Sequence, residues 1–357
     1  MGGIHARAMP VTGADKTKVS GPIPSHEEHA GKVLALCGGV GGAKLVLGLY
    51  RVLAPDRLVV AVNTGDDFSH LGLHVSPDLD TVMYTLAGLA NPETGWGRSQ
   101  ESWSFMQALE ALGGESWFLL GDGDLATHVE RTRRLAAGES LTGVSEGFAR
   151  RLGIRARLLP MSDDAVRTLI HTAEGTLPFQ HYFVRLRAAP VARGFTYEGA
   201  ERARPNPLLL AALAAAELAL VVICPSNPYL SVDPILSLPG VREALAAARA
   251  PVVAVSPLIG GEAVKGPAAK IMAELGVPRT HAAIARHYHG LIDGLVIDEA
   301  DAKEAKDLTL AVEVTRTRMR SVEDREALAR RVLAFGERLA GSRRARGRST
   351  LEGAHER

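Results

Sequence analysis

Six short apolar runs set the limits on this fold: "KVLALC", "RLVVAVN", "SWFLLG", "LALVVIC", "APVVAVS" and "IDGLVID". Each ends in turn residues, and most lead into a stretch of helical periodicity. Strands that are apolar throughout, rather than alternating, belong in a sheet covered on both faces. Such runs alternating with helices predict an α/β protein: a Rossmann-like three-layer sandwich around a mostly parallel sheet. With 357 residues, 46% of them hydrophobic, the chain can fill that core.

One region breaks the rhythm. From about residue 136 to 200 the chain reads first as a helix and connector. Then "VRTLIHTAEGTLPFQHYFVRLR" alternates apolar and polar residues around "AEGTLP", which is a hairpin pattern. An inserted smaller region with an antiparallel hairpin is therefore expected. The α/β domain is expected over residues 31–340. Residues 1–30 lack an apolar h-region, so they read as a disordered extension and not as a secretory signal. Residues 341–357 read as a basic, solvated tail. The apolar stretch Leu208–Cys224 contains Glu217 and is closed by Pro225. It reads as a buried Ala-rich helix running into a strand, not as a membrane span. Further helices are expected from Pro234, Pro267 and Ser321.

Charge and cysteine usage narrow the function. A formal net charge of +1 offers no global field for nucleic acid or a membrane. Cys37 and Cys224 each end an apolar run. They read as buried small side chains, not as ligands or a disulfide, which suits a reducing cytoplasm.

Two segments carry chemistry. In "ALCGGVGGAKLVLGLYRVL" a strand meets Gly38, Gly39, Val40, Gly41 and Gly42, and Lys44 opens a helix. Glycines allow positive φ and close approach of a ligand. A helix N-terminus offers unpaired N–H groups and the positive end of its dipole to phosphate. The turn matches neither GxxxxGK[ST] nor GxGxxG, so a tight connection without a ligand is the alternative. The second segment, "NTGDDFSHLGLHVSPDLDTVMYTLAG", follows the next strand at Asn63 and holds Asp66, Asp67, Asp78 and Asp80. Carboxyl ends of adjacent parallel strands face one crevice. Carboxylates repel a phosphate beside them unless a hard cation lies between, so the pairing predicts Mg²⁺. Asp78 reads equally as a helix cap, and Asp67 as a solvated side chain.

Other segments are less specific. Trp96 and Trp103 in "GWGRSQESWSF" suit either a stacking surface or core packing. In "GDGDLATHVERTRR", Asp124 suits a helix cap and His128 shares its helix face. Ser226 and Asn227 in "CPSNPYLSVDPIL" suit a base- or ribose-reading loop, or a plain turn. His281, His287 and His289 lack HExxH spacing and are not read as a metal site. The absence of GxSxG and CxxC weakens hydrolase and redox functions.

Taken in order, "LCGGVGGAKLVLGL", "VNTGDDFSHLGLHVSPDLDTVMYTLAG", "NPETGWGRSQESW", "LGDGDLATHVERTRRLAAGESLT", "RLLPMSDD", "FQHYFVR", "PSNPYLSVDPILSLPG" and "VSPLIGG" resemble the family of 2-phospho-L-lactate transferases of coenzyme F-420 biosynthesis, over about residues 32–320. The resemblance implies transfer of a phosphorylated three-carbon acid from a guanosine diphosphate-linked donor. The acceptor would be the terminal ribityl hydroxyl of the deazaflavin Fo, GMP would leave, and Mg²⁺ would be required. The acid would be 2-phospho-L-lactate, phosphoenolpyruvate or 3-phospho-D-glycerate. A guanylyltransferase would supply the donor, and the protein would be a cytoplasmic homodimer. By the same resemblance, the turn from Gly38 to Lys44 would cradle the diphosphate, with Asn63 beside it. Asp66 would hold Mg²⁺ and orient or deprotonate the hydroxyl. Asp80 and Asp67 would complete the metal shell. Ser226 and Asn227 would face guanosine, and Trp96, Trp103 and His128 would surround the deazaflavin. A UDP-sugar-binding regulator of the same superfamily is the alternative, but its relatives resemble "DDGGSSG" where this chain has "GDDFSHLGLHVSPDLDT". An NAD-dependent dehydrogenase fits less well, because the turn departs from GxGxxG.

Overall fold

Five of the six apolar runs become neighbours in one sheet. In the computed structural model, which describes residues 31–263 and 266–355, the chain begins with β1 (Lys32–Cys37), α1 (Gly39–Val52) and β2 (Leu58–Val62). A small hairpin follows, β3 (Phe68–His70) and β4 (Leu73–Val75). Helices α2 (Pro77–Ala87), α3 (Ser104–Ala111), α4 (Asp122–Ala136) and α5 (Leu141–Arg151) lead to β5 (Arg157–Pro160). An antiparallel unit of β6 (Arg167–Thr172), β7 (Gly175–Pro178) and β8 (Gly194–Glu198) precedes α6 (Pro207–Ala214) and β9 (Leu218–Ile223). Next come α7 (Asp233–Leu236), α8 (Val241–Ala246), β10 (Val252–Val255), and the hairpin β11 (Leu258–Ile259) and β12 (Glu262–Ala263). The chain closes with α9 (Ala268–Glu274), α10 (His281–His287), β13 (Gly294–Ile297), a 3-10 stretch Glu299–Asp307, β14 (Ala311–Val314) and α11 (Val322–His355).

The main sheet runs β14-β13-β10-β9-β1-β2-β5, and every pairing in it is parallel. From β1 the chain steps outward to β2 and β5. It then crosses to the other side of β1 and steps outward again through β9, β10, β13 and β14. The direction reverses between β1 and β9, so the crevice above their carboxyl ends is where such a sheet takes ligands. Successive side chains serve opposite layers. Val33, Ala35 and Cys37 pack in one core with Leu45, Leu49 and Leu328. Leu34 and Leu36 pack in the other with Leu209, Ile235 and Ile284. The three-layer sandwich expected from the apolar runs is therefore present. Cys37 and Cys224 are buried free thiols.

Four expectations change. "SWFLLG" is not a strand: Trp117 and Phe118 pack edge-on against Phe68 and His70, and β5 occupies the sheet edge beside β2. The range 136–200 is not one insertion, because β5 within it belongs to the main sheet. The antiparallel unit is confined to residues 167–198, where the hairpin of β6 and β7 gains β8 as a third strand. Helix α6 is only half-buried: Leu209 and Leu213 face the core, while Leu208 is exposed. The basic segment from residue 341 continues α11 to His355. Residues 1–30 lie outside the described residues. Among the described residues no helix is long and apolar enough to cross a membrane.

Helices α1 and α11 touch at Gly48, where an added Cβ would stand 2.1 Å from the carbonyl oxygen of Arg325. Alanine favours a helix over glycine by about 1 kcal/mol in isolation, but here backbone blocks the methyl group. Gly48→Ala should destabilise the protein by about 1–3 kcal/mol in urea unfolding. Unchanged or raised stability would contradict this packing.

Candidate active site

A cavity of about 690 Å³ opens above the carboxyl ends of β1 and β9. One part of its wall is the turn Gly38–Gly41 with Lys44, faced by Pro225, Ser226 and Asn227. A second part is acidic, with Asp66, Asp78 and Asp80. A third is aromatic, with Trp96, Trp117, Phe118, Phe179 and Phe183.

The turn begins helix α1, whose first turn holds no acidic side chain. Only one of its four glycines needs positive φ, Gly39 at 64°. The others are small because protein presses on them. A Cβ on Gly38 would lie 2.4 Å from Asp78 Oδ2, on Gly41 2.4 Å from the Pro225 carbonyl oxygen, and on Gly42 2.6 Å from Ser226 Oγ. Gly42 itself is absent from the cavity wall. Ser226 Oγ donates to Gly38 O at 2.8 Å and accepts from Gly38 N–H at 3.2 Å, so it braces the turn. Asn227 Oδ1 accepts the N–H groups of Tyr229 and Leu230, while its Nδ2 is buried without a partner. Lys44 Nζ reaches Met319 O at 3.3 Å.

Asp78, read from sequence as a crevice acid or a helix cap and not included in the metal shell, is central to the acidic wall. Its Oδ1 accepts Gly39 N–H at 2.8 Å, and its Oδ2 accepts Asn63 Nδ2 at 2.9 Å. Asn63 is fully buried and outside the wall; it also donates to Leu230 O and accepts from Gly65 N–H. It acts by holding Asp78. Burial pushes the Asp78 carboxyl up to about 6, against the bonds from Asn63 and Gly39. Asp66 is 5% exposed, and its Oδ1 has no hydrogen-bond partner. Burial first, then the charge of Asp78, raises its carboxyl well above the ordinary range.

The three carboxylates expected to form one metal shell do not converge. Asp67 is outside this wall, with Oδ2 accepting from Ser76 Oγ at 2.7 Å and lying 3.1 Å from His74 Nε2. It lines a separate cavity of about 250 Å³. Asp80 receives both terminal nitrogens of buried Arg131, Nη1 at 3.1 Å from Oδ2 and Nη2 against Oδ1. Arg131 Nη1 is also 3.2 Å from His128 Nδ1, and His128 Nε2 is 3.3 Å from Asp124 Oδ2. Tyr84 Oη completes the cluster 2.7 Å from Asp124 Oδ1. Ligand atoms of Asp80, Asp124 and His128 lie within 4.8 Å of one another, but Arg131 already supplies the positive charge. Asp66 and Asp78 are the carboxylates with charge left to neutralise.

Trp96 is in the wall and half-exposed, whereas Trp103 precedes α3 outside it. Phe179 and Phe183 stack with centroids 5.3 Å apart and planes 11° apart. Read as strand and hairpin, "SWFLLG" and "FQHYF" concealed these rings. Their clustering in a chain with 5% aromatics was the available signal.

Residues 33–333 match the family model described as 2-phospho-L-lactate transferase CofD. The chain is 43% identical over 317 residues to a phosphoenolpyruvate transferase of Streptomyces griseus, covering 86% of this chain and 98% of the relative. It is 45% identical over 320 residues to one of Kitasatospora aureofaciens, with the same coverage. Against one of Mycobacterium tuberculosis it is 39% identical over 304 residues, covering 78% and 91%. A crystal structure of a UPF0052 family protein from Bacillus halodurans shares the fold, with a TM-score of 0.57 and 15% identity, covering 86% of this chain and all of that one.

Raised carboxyl pKa values mean that folding favours the protonated acids. That stability is complete below the ordinary value of 3.8 and is lost as pH rises through the folded value, about 6 for Asp78. Metal-free Asp66→Asn should therefore melt above the parent protein at pH 7.5, with the gap closing near pH 4. A melting temperature at pH 7.5 equal to or below the parent's in calorimetry would contradict the buried-charge account.

Proposed function

The chain belongs to the 2-phospho-L-lactate transferase CofD family, and from that premise we propose that it moves the phosphoenolpyruvyl group from a guanosine diphosphate-linked donor to Fo. It is a transferase of coenzyme F-420 biosynthesis. Phosphoenolpyruvate is preferred to the other two acids because the relatives at 43–45% identity bear that name. The observation that carries the proposal is one cavity that joins a helix N-terminus, two buried carboxyls with no cationic partner and an aromatic wall.

Each part has a task. The turn from Gly38 to Lys44 binds the donor's diphosphate through helix N–H groups and the lysine charge. Pro225, Ser226 and Asn227 flank the guanosine. Trp96, Trp117, Phe118, Phe179 and Phe183 receive the flat deazaflavin, for which stacking suffices. The Fo ribityl oxygen bonds to the phosphorus next to the acid, the bond from that phosphorus to the GMP oxygen breaks, and GMP departs. Asp66, with an unpartnered oxygen, takes the hydroxyl proton. In-line placement of the two substrates supplies much of the remaining rate.

The residues fit Mg²⁺, since Asp66 Oδ1 is a buried acceptor without a partner and Asp78 stands beside it in the same wall. Asp66 and Asp78 would hold the ion, with Asp67 turned away and Asp80 already paired. When bound, it supplies positive charge to the diphosphate oxygens.

A reaction of Fo, GTP, Mg²⁺, the guanylyltransferase and each acid in turn, read by product mass, tests the transfer. Phosphoenolpyruvate should give the product. Asp66→Asn should lower kcat by at least about 100-fold. Trp117→Ala should raise the KM for Fo by about tenfold and leave the donor KM unchanged. Product from none of the acids, or near-normal turnover of Asp66→Asn with Mg²⁺, would refute the assignment.

A further inference from the structure

A buried hydrogen-bonded line ends in the cavity wall at a residue with no role so far. Ser256 follows β10, is 2% exposed and belongs to that wall. Its Oγ is 2.8 Å from His281 Nδ1, at the start of α10. His281 Nε2 is in turn 3.1 Å from Asp301 Oδ2, in the 3-10 stretch after β13. Both His281 and Asp301 are buried. Each end of the line is pinned. Asp301 accepts Gly260 N–H at 3.0 and 2.9 Å, and Glu304 accepts the backbone N–H of His281 at 2.9 Å. Leu258 N–H donates to Ser256 Oγ at 3.3 Å.

A carboxylate only accepts hydrogen bonds, so His281 carries a proton on Nε2, and a ring with no second proton presents Nδ1 as an acceptor. The Ser256 hydroxyl then donates to His281. Leu258 fills one lone pair of Oγ, and one remains. A phosphate oxygen, itself an acceptor, gains nothing there; a partner must bring an N–H or O–H.

We infer that His281 and Asp301 are positioning residues that make Ser256 a hydrogen-bond acceptor for a purine N–H in the nucleoside part of the donor. The inference rests on the guanosine reading above. β10 adjoins β9, whose following loop lies against the diphosphate turn, so Ser256 sits on the nucleotide side of the cavity.

Asp301→Asn gives the sharpest test. The amide oxygen can keep Gly260 N–H, while its NH₂ donates to His281 Nε2. The imidazole proton then moves to Nδ1 and donates to Ser256, whose own hydroxyl turns outward as a donor. Calorimetric titration with GMP, with melting temperatures recorded for every variant, should show about fivefold weaker binding for Ser256→Ala. Asp301→Asn should match that loss, and the double variant should bind no worse than Ser256→Ala alone. Inosine monophosphate separates the guanine amine from N1–H: if the amine is the donor, this nucleotide binds parent and Ser256→Ala equally. Parent-like GMP affinity in Ser256→Ala or in a folded Asp301→Asn overturns the inference alone; if Asp301→Asn does not fold, Ser256→Ala decides. Failure of the parent protein to bind GMP overturns the guanosine reading, and this inference with it.

Discussion

A single buried amide holds the site together. Asn63 follows β2, and its side chain reaches Asp78 at the start of α2, Gly65 in the acidic loop and Leu230 in the loop after β9. Asp78 passes the connection to Gly39 at the N-terminus of α1. Three strand ends and two helix starts thus share one set of hydrogen bonds. Removing the amide would leave a buried carboxylate and a buried carbonyl without that donor, each worth about 1–3 kcal/mol. This bridge explains why Gly38 has no room for a side chain: Asp78 and Ser231 occupy the space.

Two kinds of buried carboxylate stand side by side. Asp80 is neutralised by Arg131, and with His128, Asp124 and Tyr84 it lines the cavity as a hydrogen-bonded cluster. Asp66 has no such partner, and Asp78 has only neutral donors. Their charge is an electrostatic cost to the fold, which a cation would offset. A ligand that stabilises the folded protein by filling such a site is bound through that same free energy.

Much of this was legible in the residues. Strands apolar on both faces could only be central in a covered sheet, and β1, β2, β9, β10 and β13 are. β5 was not, because "RLLP" is short and lies beside polar connectors. The glycine segment was legible as a strand–helix junction, but α1 begins at Gly39 and not at Lys44, and three of the glycines answer to neighbouring protein atoms that no local pattern reveals. Among the aspartates, spacing put four acids near one crevice without showing which way each would point. The β3–β4 hairpin turns Asp67 toward His74, and Arg131, fifty-one residues from Asp80, claims that carboxylate. Such long-range partners, like His281 for Ser256, are set by packing of distant elements and leave no trace in spacing.

The central claim is that Asp66 and Asp78, facing the helix N-terminus, form the charged heart of a nucleotide site. Crystals grown with Mn²⁺ and GMP, with anomalous scattering recorded at the manganese edge, test it directly. A manganese peak shared by the carboxylates of Asp66 and Asp78 is expected, with the GMP phosphate beside the Gly38–Lys44 turn. A peak among Asp80, Asp124 and His128, or at Asp67, with nothing between Asp66 and Asp78, would contradict it.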